Sequence, residues 1–583
     1  MEIRWGVLAV AVTSIGCIAG TGARAAVVCE DLLKQPWGGA TVTAATMVPA
    51  AAGIPAFCKV MATAGKNTDT QKELDIEVWL PEGWRGRLLH IGGSGFDGVL
   101  PLDQGPSSFF YRYSVEKPLQ QGFALACSNG GHRGGDYPGA TFGLDFTMAQ
   151  DYAHVAIATT VRVAKALVAA HYGEPPTYSY FWGCSNGGRG AFNAAAKYPG
   201  EYDGVVAVSP TRNMAGQAAA WMEFGPASIL TPGKIATVKS AAVAACDGLD
   251  GLRDGVISNP DACRFDPASL LCGGAVSDAC LTSAEVAIVR KIQSDLKLAD
   301  GRQIYSRMGF GELNASQGYS GFGSGYVKDI VFRDPDYAGW GLDKDYPSVE
   351  QVLVGAYGFN GETKALAEFL QSGKKMIVVH GTDDTLISHW ETARGFHQFV
   401  SAAGPYYGRK NARLYMAAGM GHCSGGSGAD SFDAISPLAE WVERGRMPSG
   451  LQAAKRKADG SVVFTRPLCE FPAYPHYRGW GDVDAARSFA CVGNAAASTG
   501  AVSDATPAST ASSAAPSAGN GERRIPALRP GPVLTVYLDQ EGVAWDRAPG
   551  SPGAVPVSDE ELSSAPTVLT VVRLESGGVS PGM

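Results

Sequence analysis

Residues 178–190 read YSYFWGCSNGGRG: a β-like run, Tyr178 to Phe181, leads into Gly183-Cys184-Ser185-Asn186-Gly187, and Gly188 to Lys197 follows as a plausible helix. This is G-x-S-x-G set between a strand and a helix. Glycines on either side of the serine let the chain turn sharply without side-chain clashes, and the turn exposes the serine Oγ at the end of the strand. The same residues could also make a merely structural turn, so the rest of the chain must supply the serine's partners.

Working outward, short β-like runs recur at Leu88–Ile91, Phe123–Ala126, Val205–Val208, Met376–Val379 and Ala412–Met416, with helical patterns between several of them, notably Asp151 to His171. Strands alternating with helices predict a largely parallel sheet covered on both faces. The gap from Ser209 to Lys375 is too long for one crossover and predicts an inserted domain over the carboxyl edge of the sheet, the usual place for a lid. The expected architecture is an α/β-hydrolase fold in which residues 26–210 and 371–495 form the catalytic domain and 211–370 a large inserted lid.

A serine of ordinary pKa needs a histidine oriented by an acid, and in this fold the chain order is Ser, Asp, His. Five histidines lie downstream: His380, His389, His397, His422 and His476. Only His422 sits in a glycine-rich loop directly after a late strand, Gly419-Met-Gly-His-Cys-Ser-Gly-Gly, and the others read as surface or packed residues. The acid should end the preceding strand, where Val378-Val-His-Gly-Thr-Asp-Asp384 offers Asp383 and Asp384 on nearly equal terms.

If Ser185 and His422 meet, their neighbours Cys184 and Cys423 come within disulfide range, about 4.4–6.8 Å between Cα atoms. That bond would fasten the nucleophile's turn to the base's loop. Short spacings suggest three more pairs, Cys246 with Cys263, Cys272 with Cys280, and Cys469 with Cys491; Cys29 and Cys58 join the disulfide set, and Cys127 is left without a role.

Together these residues resemble the tannase and feruloyl esterase family, which also contains an enzyme hydrolysing mono(2-hydroxyethyl) terephthalate. The resemblance covers most of residues 27–495 and is carried by Gly183-Cys-Ser-Asn-Gly-Gly-Arg189, His380-Gly-Thr-Asp-Asp384, Gly421-His-Cys423, and the end piece that opens Cys469-Glu-Phe-Pro-Ala-Tyr-Pro. It implies Asp384 as the acid, the Cys184–Cys423 disulfide, and a small aromatic-ester substrate, with galloyl, feruloyl and terephthalate half-esters all open. Thr382 departs from the aromatic common at that place and is expected to alter the pocket wall.

An oxyanion formed on Ser185 attack needs N–H donors, expected from Asn186 and from the glycine-rich loop Gly92-Gly-Ser-Gly-Phe-Asp-Gly98 near Gly95. That loop lacks the lysine and hydroxyl of a phosphate-binding loop. In the insertion, Cys246-Asp-Gly-Leu-Asp-Gly-Leu-Arg-Asp-Gly-Val-Ile gathers Asp247, Asp250 and Asp254, with the carbonyls of Leu252 and Val256 at hand. Hard oxygen donors on a tight loop suit Ca²⁺, though a polar turn closed by a disulfide has the same look. The resemblance implies a structural calcium ion remote from the serine. The aromatics Tyr319, Phe322, Tyr326, Phe332, Tyr337, Trp340 and Tyr346 should mostly be core, with one or two facing Ser185.

The 583 residues carry a net charge of −8 and no dense basic cluster, which argues against a nucleic-acid partner. Residues 1–25 have a short polar start, an apolar run and Ala23-Arg-Ala25, and predict a signal peptide and export to the periplasm or beyond. Cys17 lacks the preceding leucine of a lipoprotein site, so lipid anchoring is not expected, and no other stretch is expected to span a membrane. Residues 496–583 open as an Ala/Ser/Thr/Gly/Pro linker, with strand-like runs near Val533 and Thr567. The competing reading, a non-catalytic calcium-stabilised surface or binding protein, is disfavoured by the intact Ser, Asp and His set.

Overall fold

The computed structural model describes residues 26–67, 72–104, 116–134, 139–225, 230–309 and 321–493, and the backbone of three short strands beyond residue 533. The expected signal peptide, the linker and Tyr319 lie outside the described residues. In chain order the strands are β1 Thr41–Val48, β2 Phe57–Asn67, β3 Lys72–Pro81, β4 Arg87–Ile91, β5 Phe123–Ser128, β6 Tyr178–Cys184, β7 Gly204–Val208, β8 Leu296–Lys297, β9 Gln303–Tyr305, β10 Lys375–Gly381, β11 Ala412–Ala417, β12 Ser431–Phe432, β13 Leu451–Arg456, β14 Val462–Glu470, β15 Ala473–Tyr477 and β16 Phe489–Gly493. One twelve-stranded sheet takes the order β1-β2-β3-β5-β4-β6-β7-β10-β11-β14-β13-β12.

Its middle six strands, β5, β4, β6, β7, β10 and β11, run parallel and are the six runs expected from sequence. Neighbouring residues there point to opposite, equally covered faces. Leu88, Phe181, Val205 and Val378 pack under helices Ala156–Tyr172, Asn186–Lys197 and His389–Ala403, whereas Leu89, Trp182, Val206 and Val379 pack with helix Ile435–Arg444. Burial on both faces is why these strands read as continuous apolar runs. The antiparallel flanks are harder to see, because charges sit inside them: Glu77 of β3 is buried and pairs with Lys59 of β2 at 2.8 Å.

The segment between β7 and β10 holds helices Met214–Phe224, Pro232–Cys246, Ser283–Ile292, Leu342–Glu350 and Thr363–Gln371. Thr282 and Glu285 exchange reciprocal hydrogen bonds at the start of Ser283–Ile292, a capping box that satisfies two free N–H groups. Most of the insertion shares one core with the catalytic part, since Trp221, Tyr326, Val349 and Leu353 cluster with Phe96, Phe142, Tyr152 and Ile387. The insertion is therefore pinned over the strand ends by apolar burial. All five expected disulfides are present, and Cys127 is a buried thiol.

Among the described residues one stretch, Phe146–Tyr172, is long and apolar enough to cross a membrane, and more than half of its most apolar window is buried within the protein. Val161, Ala164, Leu167 and Val168 pack in the same core as Ile76, Val78, Ala124 and Ala126 of β3 and β5, which accounts for its composition. Beyond residue 533 the described strands β17 Leu534–Leu538, β18 Ala544–Trp545 and β19 Leu569–Arg573 make a small sheet of their own.

Candidate active site

Ser185 stands between the end of β6 and helix Asn186–Lys197 with φ 60° and ψ −121°, a conformation that costs about 1–3 kcal/mol in a residue with a side chain. The flanking glycines are needed for room. A Cβ on Gly183 would lie 2.3 Å from the Gly187 backbone, and one on Gly187 would lie 2.5 Å from the Gly93 carbonyl. The turn can close only without those side chains, and its closure leaves Ser185 half-buried at the sheet's carboxyl edge.

His422 reaches this serine from the loop after β11: its Nε2 lies 2.9 Å from Ser185 Oγ. Its Nδ1 lies 2.8 and 3.0 Å from the two carboxylate oxygens of Asp384. Asp384, in the turn after β10, also accepts the N–H groups of Leu386 and Ile387, each at 2.9 Å. A second imidazole approaches the same carboxylate, with His380 Nε2 3.2 Å from Asp384 and 3.1 Å from the Ile387 carbonyl. Both those neighbours are acceptors, so this nitrogen carries the proton and donates. Burial pushes the Asp384 carboxyl upward, yet the His422 charge and the hydrogen bonds from both histidines outweigh it and hold the group well below the usual carboxylate range.

Asp383 takes another direction: its N–H donates to the Met420 carbonyl, and its side chain accepts from Ser427 at 3.4 Å. It is a half-buried turn residue tied to the histidine loop rather than a solvated one. The Cys184–Cys423 disulfide, with Cα atoms 6.0 Å apart, joins the elbow to that loop across 239 residues of sequence. Thr382, which stands where the family commonly carries an aromatic, is buried, and its hydroxyl accepts from the Gly419 N–H and helps to fix that loop.

Asn186 is the first residue of its helix, so its backbone N–H has no partner within that helix. Gly95, at φ 55°, lines the same pocket as Ser185 and Asn186. The apolar wall opposite comes from Met214, Trp221, Phe322, Tyr326, Leu386 and Ile387. Of the expected lid aromatics, Phe322 and Tyr326 face the serine. Phe332 and Tyr337 stack on each other at 4.0 Å, Trp340 donates to Glu223, and Tyr346 is buried. Trp221 and Leu386, linked by an indole N–H to carbonyl bond of 2.9 Å, escaped the sequence reading, since nothing local distinguishes them from core residues.

In the acidic loop, Asp247 accepts the N–H groups of Asp254 and Gly255, Asp250 that of Leu252, and Asp254 that of Val256. Asp247 and Asp250 are buried, and burial together with the neighbouring carboxylates pushes Asp250 up. Crowded, buried oxygen donors of this kind suit a hard cation. Asp254, however, spends an oxygen on Arg466 at 2.6 Å. Among the described residues no three His, Cys, Asp or Glu groups are drawn close enough to hold a metal as they stand.

The sequence profile described as tannase and feruloyl esterase matches residues 58–329 and 358–492. An uncharacterised esterase of Xanthomonas campestris pv. campestris is 32% identical, with 85% of this chain and 96% of that protein aligned. Mono(2-hydroxyethyl) terephthalate hydrolase of Piscinibacter sakaiensis is 29% identical over 77% of this chain and 87% of its own. The crystal structure of feruloyl esterase B from Aspergillus oryzae superposes with a TM-score of 0.70 at 26% identity, covering 80% of this chain and 99% of that one.

Proposed function

Because this chain belongs to the tannase and feruloyl esterase family and is a carboxylic ester hydrolase, we propose that it cleaves esters of phenolic acids, feruloyl esters foremost, through an acyl-enzyme on Ser185. The observation that carries this reading is the relay of 2.9 and 2.8 Å from Ser185 through His422 to Asp384, facing an aromatic-walled pocket. Ser185 Oγ attacks the ester carbonyl as His422 Nε2 takes its proton. Asp384 holds the imidazole's orientation and stabilises its positive charge. The carbonyl oxygen, now an anion, receives the N–H groups of Asn186 and Gly95. The intermediate collapses, and His422 returns the proton to the departing alcohol. Water then repeats the sequence on the acyl-enzyme, and the carboxylic acid leaves.

An uncharged aromatic acyl group fits better than a terephthalate. Among the described lining residues the one cation is Arg189, whose N–H groups are committed to the Asn186 side chain and to the carbonyls of Tyr152, Ala153 and Phe359. A hydrolysis panel of methyl ferulate, methyl gallate and mono(2-hydroxyethyl) terephthalate, with Ser185→Ala as control, tests the assignment. Turnover strongest on methyl ferulate and lost in the variant supports it; a folded enzyme inert on all three, or active without Ser185, sinks it.

The reading extends to location and metal. Five disulfides suit an oxidising compartment, in keeping with export. Asp247 and Asp250, with carbonyls such as Leu252 and Val256, would hold a structural Ca²⁺, whose charge would relieve the repulsion between buried carboxylates. Chelation should then lower the melting temperature, and an unchanged melt removes the ion from the account.

A further inference from the structure

We infer that Asp97 is a positioning residue of the oxyanion site: its half-buried carboxylate ties the Gly92–Gly98 loop to the start of the Asn186 helix, so that the N–H groups of Gly95 and Asn186 face one point. The inference rests on the proposed acyl-transfer reading, in which those two groups receive the oxyanion. Asn186 Nδ2 donates to Asp97 Oδ1 at 2.9 Å, and Arg189 Nε donates to Asn186 Oδ1 at 2.7 Å. The Asn186 side chain is thus stretched between an acid on one element and a guanidinium on its own helix. It cannot swing without breaking two charge-assisted bonds, which are roughly twice as strong as neutral ones.

The surroundings are built for that carboxylate. A Cβ on Gly93 would lie 2.4 Å from Asp97 Oδ1, and one on Gly130 would lie 2.5 Å from Oδ2, so only glycine admits it at either place. Asp97 itself takes φ 47°, an uncommon region for a residue with a side chain. From behind, the Tyr152 hydroxyl donates to the Gly95 carbonyl at 2.7 Å, which steadies the other donor. The polar side chains lining the cavity with Asp97 are Asn186 and Arg189 on the helix, Asp151, Tyr152, Ser128 and His90 of β4, with His132 beside Gly98. Burial pushes the Asp97 carboxyl up to about 7 against the pull of Asn186 and Arg189, which marks its place here as costly. Strained and costly groups persist where geometry serves function.

The test compares Asp97→Ala, Asp97→Asn, Asn186→Ala and the alanine double variant on an ester that wild type hydrolyses and Ser185→Ala does not. Asp97→Ala should lower kcat about 10²–10³-fold, the loss typical of one oxyanion donor, while KM stays within about twofold. Affinity for benzeneboronic acid, whose tetrahedral serine adduct occupies the oxyanion site, should fall by a similar factor. Asn186→Ala keeps its backbone N–H yet should behave alike, the double variant should be no worse than either single, and Asp97→Asn, which keeps an acceptor, should recover most of kcat. A raised KM with kcat spared, unmoved boronate affinity, or losses that multiply in the double variant would overturn the role. If Asp97→Ala fails to fold, Asn186→Ala decides by the same readouts. Turnover surviving in Ser185→Ala would instead indict the nucleophile, whereas a Ser185-dependent enzyme indifferent to Asp97→Ala sinks this inference alone.

Discussion

The carboxyl edge of the six parallel strands and the insertion above it meet at one pocket but are held in different ways. At the edge, geometry is written into the backbone: the left-handed Ser185, the glycines that cannot carry a Cβ, the disulfide from elbow to histidine loop, and the four donors on Asp384. In the insertion, the pocket wall is side chains on helices, with Trp221, Phe322 and Tyr326 sharing a core with the edge beneath. The first arrangement specifies a reaction and resists change. The second specifies what is admitted, and it can be altered residue by residue without dismantling the first.

Substitutions can break or sharpen that contrast. The largest effect belongs to the edge: Ser185→Ala or His422→Ala should lower kcat on the order of 10⁴–10⁶-fold with an unchanged circular dichroism spectrum, measured by steady-state hydrolysis. Next, replacing Cys184 and Cys423 with alanine removes a link across 239 residues. It should cost up to about 5 kcal/mol of stability by chain entropy, read from chemical denaturation under non-reducing conditions. In the insertion, Phe322→Ala should lower kcat/KM for methyl ferulate by about 10–100-fold, a loss of roughly 1–3 kcal/mol of apolar contact, and cost p-nitrophenyl acetate less. Equal losses on both esters would mean that the wall shapes the reaction itself, and the contrast would fail.

A last effect concerns Asp97 and pH. Its folded carboxyl is raised to about 7, against an ordinary value near 4. Between those values the folded chain keeps a proton that the unfolded chain releases, so this group's contribution to stability declines as pH rises from about 4 to 7. The penalty is complete above 7 and absent below 4. Asp97→Asn should therefore melt above wild type at pH 8, with the gap closing toward pH 4; a gap independent of pH would contradict the shift.

What could be read from sequence follows the same divide. The six central strands were legible because both their faces are buried, and Ser185 and His422 because glycine patterns mark turns that only glycine permits. Asp383 and Asp384 were indistinguishable by spacing, since the choice depends on which carboxylate the turn aims at His422, and family resemblance separated them. Thr382 stood out only as a departure from the family's usual aromatic, and no sequence pattern shows that its hydroxyl accepts from the Gly419 N–H. The Trp221–Leu386 contact joins segments far apart in sequence, and no local pattern announces it; His380 and Asp384 are four residues apart, yet spacing alone does not show that their side chains meet.

The most direct measurement is mass spectrometry of the intact and digested protein after reaction with a fluorophosphonate or a rapidly quenched feruloyl ester. The expected result is one covalent adduct on the peptide containing residue 185, absent in Ser185→Ala. An adduct on another residue, or full turnover with Ser185 unmodified, would contradict the account.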